Sequence, residues 1–187
     1  AIIINMNLWT RLKLAQGAIP VQVSTMIETA GFGGGCHWCT EAVFRSLAGV
    51  TDVRQGFISA DAPHDSYSEA VSVTWDAGRI SFEDLILAHL LTHASTSNHK
   101  MRGKYRSAVY VHEAESGIKA AQIIDRLGQD SDSAFVTQVL PFRMFKPSDA
   151  RFQDYYENNR GGPFCDTYIE PKLALLRQRF PNFSPEP

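Results

Sequence analysis

The chain has 187 residues, 44% of them hydrophobic and 20% charged, which is enough for one globular domain with a buried core. Its 18 basic and 20 acidic residues give a formal net charge of −2, so no positive field attracts nucleic acid. No apolar run approaches the ~20 residues needed to cross a bilayer. We therefore expect neither a membrane nor a nucleic-acid partner, and a cytoplasmic protein.

The hydrophobic pattern predicts strands and helices in alternation. Residues 1–20 lack a basic leader and a small-residue cleavage site, so we interpret them as an N-terminal arm before a single domain, 21–187. The predicted strands are 25–32, 50–58, 70–75, 105–112 and 135–140. The predicted helices are 40–47, Phe82 to near His93, 115–127, 150–157 and a short segment after Pro171.

The order of these elements predicts the fold. Ser81 and Asp84 have capping-box spacing at the start of the second helix. Strand, helix, strand, strand, helix, strand over residues 25–112 is the split β-α-β arrangement. We predict an α+β fold, a two-layer sandwich with a split β-α-β (ferredoxin-like) core and a mixed sheet.

Cys36 is the first candidate for chemistry. It follows the run Gly31-Phe32-Gly33-Gly34-Gly35 and precedes the first predicted helix. A thiol at a helix N-terminus meets unpaired backbone N–H groups and the positive end of the helix dipole, and both favour the thiolate. The alternative is a small buried cysteine at a tight turn. The glycine-rich approach favours the nucleophile.

Two further cysteines extend the pattern. Cys39 completes a Cys-x-x-Cys with Cys36, and Cys165 lies far along the chain. Thioredoxin-like chemistry competes here, although the aromatic residue stands between the two cysteines and not before them. A zinc site can be drawn with His37 as the fourth ligand, but adjacent Cys and His at a helix start seldom converge on one metal. We predict no metal and no cofactor.

Carboxylate and histidine candidates are weaker on the residues alone. Glu69 starts the third strand, and it can donate a proton if its side chain faces the glycine-rich turn. Otherwise it is a solvated carboxylate at a strand end. His37, His93 and His99 receive no catalytic role, because isolated histidines more often cap helices or pack with one nitrogen satisfied.

The segment Gly34-Gly35-Cys36-His37-Trp38-Cys39-Thr40-Glu41-Ala42-Val43-Phe44 closely resembles the active-site signature of type A peptide methionine sulfoxide reductases. The similarity runs in order from about Thr29 to Phe180. It includes Glu69-Ala70-Val71, Ser81-Phe82-Glu83-Asp84-Leu85, Tyr105-Arg106-Ser107-Ala108, and Gln153-Asp154-Tyr155-Tyr156 before Cys165.

This resemblance implies a catalytic domain with defined residue roles. Cys36 would attack the sulfoxide, Glu69 would donate the proton, and Tyr105 would hydrogen-bond the sulfoxide oxygen. Cys165 would be the C-terminal resolving cysteine. Cys39 would be inert or a second relay.

The implied substrate pocket departs from the family pattern. Trp38 would be a wall of the methyl pocket, and His37 stands where the family has Phe. The loop before Glu69 is short and lacks the second active-site tyrosine, for which Tyr67 is a loose substitute. Phe152 occupies a position that is commonly His.

The resemblance also implies the reaction. The expected activity is reduction of the S-epimer of methionine sulfoxide, free or in peptides, through a sulfenic acid and an intramolecular disulfide that thioredoxin or a similar reductant recycles. The basic residues Lys100, Arg102 and Lys104 stand where the family has an acidic residue, and they suggest an alternative. That alternative is a diverged thiol oxidoreductase acting on another sulfoxide or on disulfides. A non-catalytic zinc module is a third hypothesis.

Overall fold

A computed structural model describes residues 26–180, and the predicted N-terminal arm lies outside the described residues. The strands are β1 (Ile27–Gly33), β2 (Val50–Ser59), β3 (Ser68–Asp76), β4 (Ala108–Val111), β5 (Gln138–Pro141) and β6 (Met144–Pro147). The helices are α1 (His37–Arg45), α2 (Phe82–Thr92), α3 (Ala114–Ser131), α4 (Tyr155–Asn158) and α5 (Glu170–Arg179). Among these helices, none is long and apolar enough to span a membrane.

The six strands form one sheet in the order β5-β4-β1-β3-β2-β6. β4 and β5 are parallel, and the other neighbouring pairs are antiparallel. The four central strands, with α1 and α2 as the crossovers, are the split β-α-β core. The predicted α+β class and mixed sheet are therefore confirmed.

The two faces of the sheet bury different side chains because neighbouring residues of a strand point to opposite faces. One face packs against the helices, with Phe32 and Val71 from the strands and Phe44 and Leu85 from the helices in one core. The opposite face carries a smaller cluster around Ile58, Ala70 and Tyr110, packed against the segment that contains β5 and β6. The fold is thus a two-layer sandwich.

The start of α2 follows the sequence closely, whereas α1, predicted for 40–47, begins three residues earlier and is His37–Arg45. At α2, Ser81 Oγ accepts the Asp84 N–H at 3.1 Å, while Asp84 Oδ2 accepts the Ser81 N–H at 3.3 Å. This is the predicted capping box.

Several predicted bounds in the second half of the chain are wrong. The strand predicted from residue 105 begins at Ala108, and Tyr105 lies in the turn before it. The strand predicted for 135–140 is Gln138–Pro141. The strand β6 was not predicted, because its four residues are mostly exposed and show no alternation.

The helix predicted for 150–157 is also wrong. The segment is a 3₁₀ turn, Ala150–Phe152, and the single-turn helix α4, with Asp154 between them at φ 55°. A left-handed residue ends one helical segment and starts another. The backbone N–H groups of Asp154 and Tyr155 point to the side chain of Glu41 on α1, at 2.8 and 3.1 Å. A tertiary contact thus replaces helical periodicity here.

Candidate active site

Cys36 is the N-cap residue of α1 and is partly buried, as the sequence predicted. The pKa of its thiol is lowered from 9.0 to about 7. The largest cause is a hydrogen bond from the Cys39 side chain, and the N–H groups of Trp38 and Cys39 add to it. Burial and the charge of Glu69 oppose the shift. Near neutral pH a large share of Cys36 is therefore thiolate, which is the nucleophilic form.

Cys39 is the partner thiol one helical turn away. It is buried, and its pKa is raised because its proton is held in the hydrogen bond to Cys36 and because burial disfavours its charged form. Cys39 therefore stays protonated while Cys36 ionises. The two thiols differ in role although they share one helical turn.

Glu69 faces the start of α1, as its predicted role requires. On β3 it points to the same side as Val71 and Val73, toward the helical layer. The residue is 8% exposed, and Oε2 accepts the backbone N–H of His37 at 3.3 Å. This contact places the carboxylate next to the turn that carries Cys36.

Lys104 completes this side of the site. Its Nζ is 3.3 Å from Glu69 Oε1, and its ammonium group also hydrogen-bonds to the Tyr105 hydroxyl. Hydrogen bonds to Tyr105 and Glu69 raise the pKa of Lys104. Glu69, Lys104 and Tyr105 therefore form one connected group beside Cys36.

His37 is held away from the thiols. Its Nδ1 is 3.0 Å from the Gly56 carbonyl oxygen on β2, so Nδ1 carries the hydrogen and donates. Its ring meets the edge of Phe57 at a centroid distance of 5.3 Å. The His37 ring is therefore anchored on the sheet, next to Glu69.

Trp38 is covered by the C-terminal segment. Its ring stacks on Tyr155 at a centroid distance of 4.1 Å with an interplanar angle of 3°, and Phe164 meets it edge-on at 5.6 Å. Phe152 lies 5.9 Å away. The residue predicted as a wall of the methyl pocket thus has one face occupied by Tyr155. Tyr67 is 46% exposed, and among the described residues its ring contacts neither His37 nor Trp38.

Cys165 reaches the other two cysteines through packing. It begins a π-helical turn, Cys165–Ile169, that leads into α5, and it is 1% exposed. It shares a cluster with Cys39 and Ala42, against which Cys36 also packs. Burial raises the pKa of Cys165. All three thiols are free. The fold therefore brings Cys165 to the two cysteines of α1, from which it is far apart in sequence.

An open cleft of about 370 Å³ lies beside the two cysteines of α1. It runs between the start of α1, the end of α2 and the π-helical turn. Its polar side chains include those of His93, His99, Tyr105, Tyr168 and Lys172. Both Cys36 and Cys39 line it, so a reactant in the cleft reaches either sulfur.

Glu41 is a site residue that the sequence reasoning missed. It is 1% exposed, and it accepts hydrogen bonds from Gln55 Nε2 at 2.9 Å and from the backbone of Asp154 and Tyr155. Arg45 Nε is 3.6 Å from it. Burial is the largest cause of the raised pKa of the Glu41 carboxyl. The available signal was a glutamate placed directly before Ala42, Val43 and Phe44 on the core side of α1.

Two histidines support the glycine-rich turn. His89 and His93 stack at a centroid distance of 4.1 Å, and His93 Nε2 is 2.8 Å from Ser107 Oγ. Burial lowers the pKa of His93 to about 4, so its ring is neutral. A Cβ on Gly34 would lie 2.7 Å from His93 Cγ. The absence of a side chain at Gly34 lets this ring pack directly under the turn.

Residues 26–180 bring no three His, Cys, Asp or Glu side chains into an arrangement that could hold a metal ion. His37 directs its ring to the Gly56 carbonyl. The zinc site considered from the sequence, with Cys36, His37, Cys39 and Cys165 as its ligands, is thus not assembled.

An activated thiol with a carboxylate, a tyrosine and two further thiols around it is typical of the thiol-dependent oxidoreductases. A sequence model described as peptide methionine sulfoxide reductase matches residues 28–183. The MsrA of Deinococcus radiodurans is 36% identical over 169 residues, covering 82% of each chain. The MsrA of Halobacterium salinarum is 32% identical over 169 residues, covering 82% of this chain and 96% of its own. The chain belongs to the peptide methionine sulfoxide reductase family, type A, and is an enzyme that reduces methionine sulfoxide.

Solved structures share the fold. Reduced Mxr1 from Saccharomyces cerevisiae superposes with a TM-score of 0.64 at 21% identity, covering 76% of this chain and 91% of its own. Methionine sulfoxide reductase A of Corynebacterium diphtheriae gives 0.61 at 22% identity, covering 71% and 75%. Mxr1 in complex with Trx2 gives 0.55 at 18% identity, covering 74% and 91%.

Proposed function

We propose that the enzyme reduces the S-epimer of methionine sulfoxide, free or in peptides, with Cys36 as nucleophile and Cys165 as resolving thiol. The observation that carries the proposal is the lowered pKa of Cys36, which the Cys39 thiol and the start of α1 produce together. The family membership supplies the substrate class. The assignment of each residue rests on its position around Cys36.

In the first step the Cys36 thiolate attacks the sulfoxide sulfur. The S–O bond breaks, the oxygen takes up one proton and ends on Cys36 as a sulfenic acid, and methionine leaves. The sulfur of methionine is reduced by two electrons, and Cys36 is oxidised by two. The thiolate must therefore be present before substrate arrives, which the lowered pKa favours.

The proton comes from the group that Glu69, Lys104 and Tyr105 form. Glu69 is the candidate proton donor, and Lys104 Nζ lies 3.3 Å from its Oε1. Tyr105 lines the cleft beside Cys36, which supports the proposal that its hydroxyl hydrogen-bonds the sulfoxide oxygen. In this proposal Glu69 is the general acid, and Lys104 and Tyr105 lie beside it.

In the second step the Cys165 thiol attacks the sulfenic acid, a disulfide forms and water leaves. Cys165 lies in the cluster that contains Cys39, so only a short movement separates it from Cys36. Cys39 is held one helical turn away on α1, so a Cys36–Cys39 disulfide requires the first turn of the helix to distort. It acts afterwards, if at all, as a relay.

The disulfide is then reduced by thioredoxin or a similar dithiol, which becomes oxidised in exchange. Yeast Mxr1, a structural neighbour, has been crystallised in complex with Trx2. A cytoplasmic location, where such reductants keep thiols reduced, remains a prediction.

The alternative of an anionic sulfoxide or disulfide substrate has less support. It rests on Lys100, Arg102 and Lys104, but Arg102 donates to backbone carbonyls and Lys104 pairs with Glu69. Arg102 does not line the cleft beside Cys36, and Lys104 is already paired with Glu69, so neither recruits an anionic substrate to the thiols.

A stereospecific assay tests the proposal. Both epimers of a blocked methionine sulfoxide are supplied with thioredoxin, thioredoxin reductase and NADPH, and NADPH consumption is followed. We expect turnover of the S-epimer and none by Cys36→Ser. Turnover of the R-epimer, or full activity in Cys36→Ser, would overturn the proposal.

A further inference from the structure

A second cleft, of about 400 Å³, is lined in part by Arg102, Gly103 and Arg106 from the loop that carries Tyr105, and it shares no lining residue with the cleft beside Cys36. It is formed by the loop before β3, the loop before β4 and the start of β5. Its polar lining includes Arg106, Arg102, His64, Ser66, Asn98 and Gln138. No aspartate or glutamate lines it. The cleft is therefore cationic and rich in hydrogen-bond donors.

Arg106 is the unusual member of this lining. It is 6% exposed, and its guanidinium hydrogen-bonds only to neutral groups: Ser66 Oγ at 3.2 Å, the Ser66 carbonyl at 3.3 Å and the Tyr110 hydroxyl at 3.4 Å. Within residues 26–180, no carboxylate lies within 4.0 Å of it, whereas six other arginines have such a partner. A buried charge without a counter-charge is unfavourable, so the fold leaves a positive charge uncompensated here.

Arg102 adds a second such charge to the same cleft. Its guanidinium donates to the carbonyls of Ser97, Tyr105 and Gly34, and to that of Ala94. No carboxylate of the described chain pairs with it either. Burial lowers the pKa of Arg102, which indicates a partly desolvated cation. Two uncompensated guanidinium groups on one cleft attract an anion more strongly than either does alone.

We propose that this cleft is a binding site for a small oxyanion, a phosphate or a carboxylate, with Arg106 at its floor. An oxyanion offers acceptors that match the guanidinium donors and supplies the charge that the fold lacks. Ser66, Asn98 and Gln138 stand at the exposed rim and provide hydroxyl and amide donors. The site is separate from the cleft that Cys36 lines, and it does not depend on the proposed reaction.

The test is thermal unfolding of the full chain in increasing inorganic phosphate, with sodium chloride holding the ionic strength at about 0.15 M. A ligand that binds the folded state raises the melting temperature along a saturating curve. Phosphate that acts only by exclusion from the surface raises it without saturation. We expect saturation in the wild type. A parallel series with acetate distinguishes a carboxylate site from one selective for phosphate, and a response to either anion supports the proposal.

Two variants make the result specific. Arg106→Gln is expected to weaken phosphate binding at least about tenfold, the loss of one charge-assisted hydrogen bond. Arg54→Gln, which removes the same charge from an exposed position on β2, is expected to bind as the wild type does. If Arg106→Gln does not fold, Gln138→Glu decides, because a carboxylate at the rim repels phosphate and competes for the guanidinium groups. No saturation with either anion, or equal binding by the wild type and the deciding variant, would overturn the proposal.

Discussion

The hydrogen bond from Cys39 to Cys36 predicts how the nucleophile responds to mutation. Cys36 ionises near pKa 7 and not 9.0, and the Cys39 side chain is the largest cause of this shift. Cys39→Ala removes that donor and leaves the N–H groups of α1 in place. We expect the pKa of Cys36 to rise by about one unit, which corresponds to about 1.4 kcal/mol of lost thiolate stabilisation.

The rate at which Cys36 is alkylated measures this change in its pKa. At about pH 6 the thiolate fraction falls from about ten per cent to about one per cent when a thiol pKa rises from about 7 to about 8, so iodoacetamide reacts about tenfold more slowly. At about pH 9.5 both proteins are ionised, and their rates converge. Peptide mapping isolates the reaction of Cys36 from that of the buried thiols.

Cys39→Ser is the matched control, because its hydroxyl still donates to the thiolate and keeps most of the shift. Cys165→Ser removes a thiol that is absent from the causes of the shift. An unchanged alkylation profile in Cys39→Ala would refute the reasoning.

Three further outcomes follow from the site. Glu69→Gln is expected to reduce kcat by about 10²–10⁴-fold, which is the usual contribution of a general acid. The pKa of Cys36 is expected to fall in the same variant, because a negatively charged neighbour is lost. An unchanged kcat would show that Glu69 has only a structural role. Glu41→Gln is expected to lose about 2 kcal/mol of stability in urea unfolding, since an amide cannot accept all the hydrogen bonds that the carboxylate does. Glu157→Gln, at an exposed position, serves as the control. Gly34→Ala is expected to lower the free energy of unfolding by about 1–3 kcal/mol, because the added Cβ overlaps the His93 ring. Gly35→Ala is the control, since nothing lies within 4 Å of a Cβ added there. Equal losses of stability in the two variants would contradict this account.

The sequence predicted those parts of the fold that depend on local signals. Alternation and capping indicated the split β-α-β core, and the glycine run located the turn at Cys36, because each signal lies within a few neighbouring residues. The segment 150–157 was predicted wrongly, because its conformation depends on a contact between Glu41 and the backbone of Asp154. That contact joins residues 113 positions apart.

The candidate site divides in the same way. Cys36 was predicted from its position at a helix start, whereas the role of Glu69 came from the resemblance to the family and not from its place on a strand. The pairing of Lys104 with Glu69 could not be predicted, since the basic residues before Tyr105 gave no indication of which carboxylate they meet. The stacking of Tyr155 on Trp38 also needs the tertiary fold, because it brings α4 onto α1.

The central claim is that Cys36 carries the oxidation and Cys165 resolves it, and a single turnover tests it directly. The reduced enzyme receives one equivalent of the S-epimer without reductant, is quenched with an alkylating agent and is mapped by peptide mass spectrometry. The account predicts one methionine released per enzyme and a Cys36–Cys165 disulfide, with Cys39 alkylated after denaturation. A dominant Cys36–Cys39 disulfide, or release of methionine with Cys36 still reduced, would contradict it.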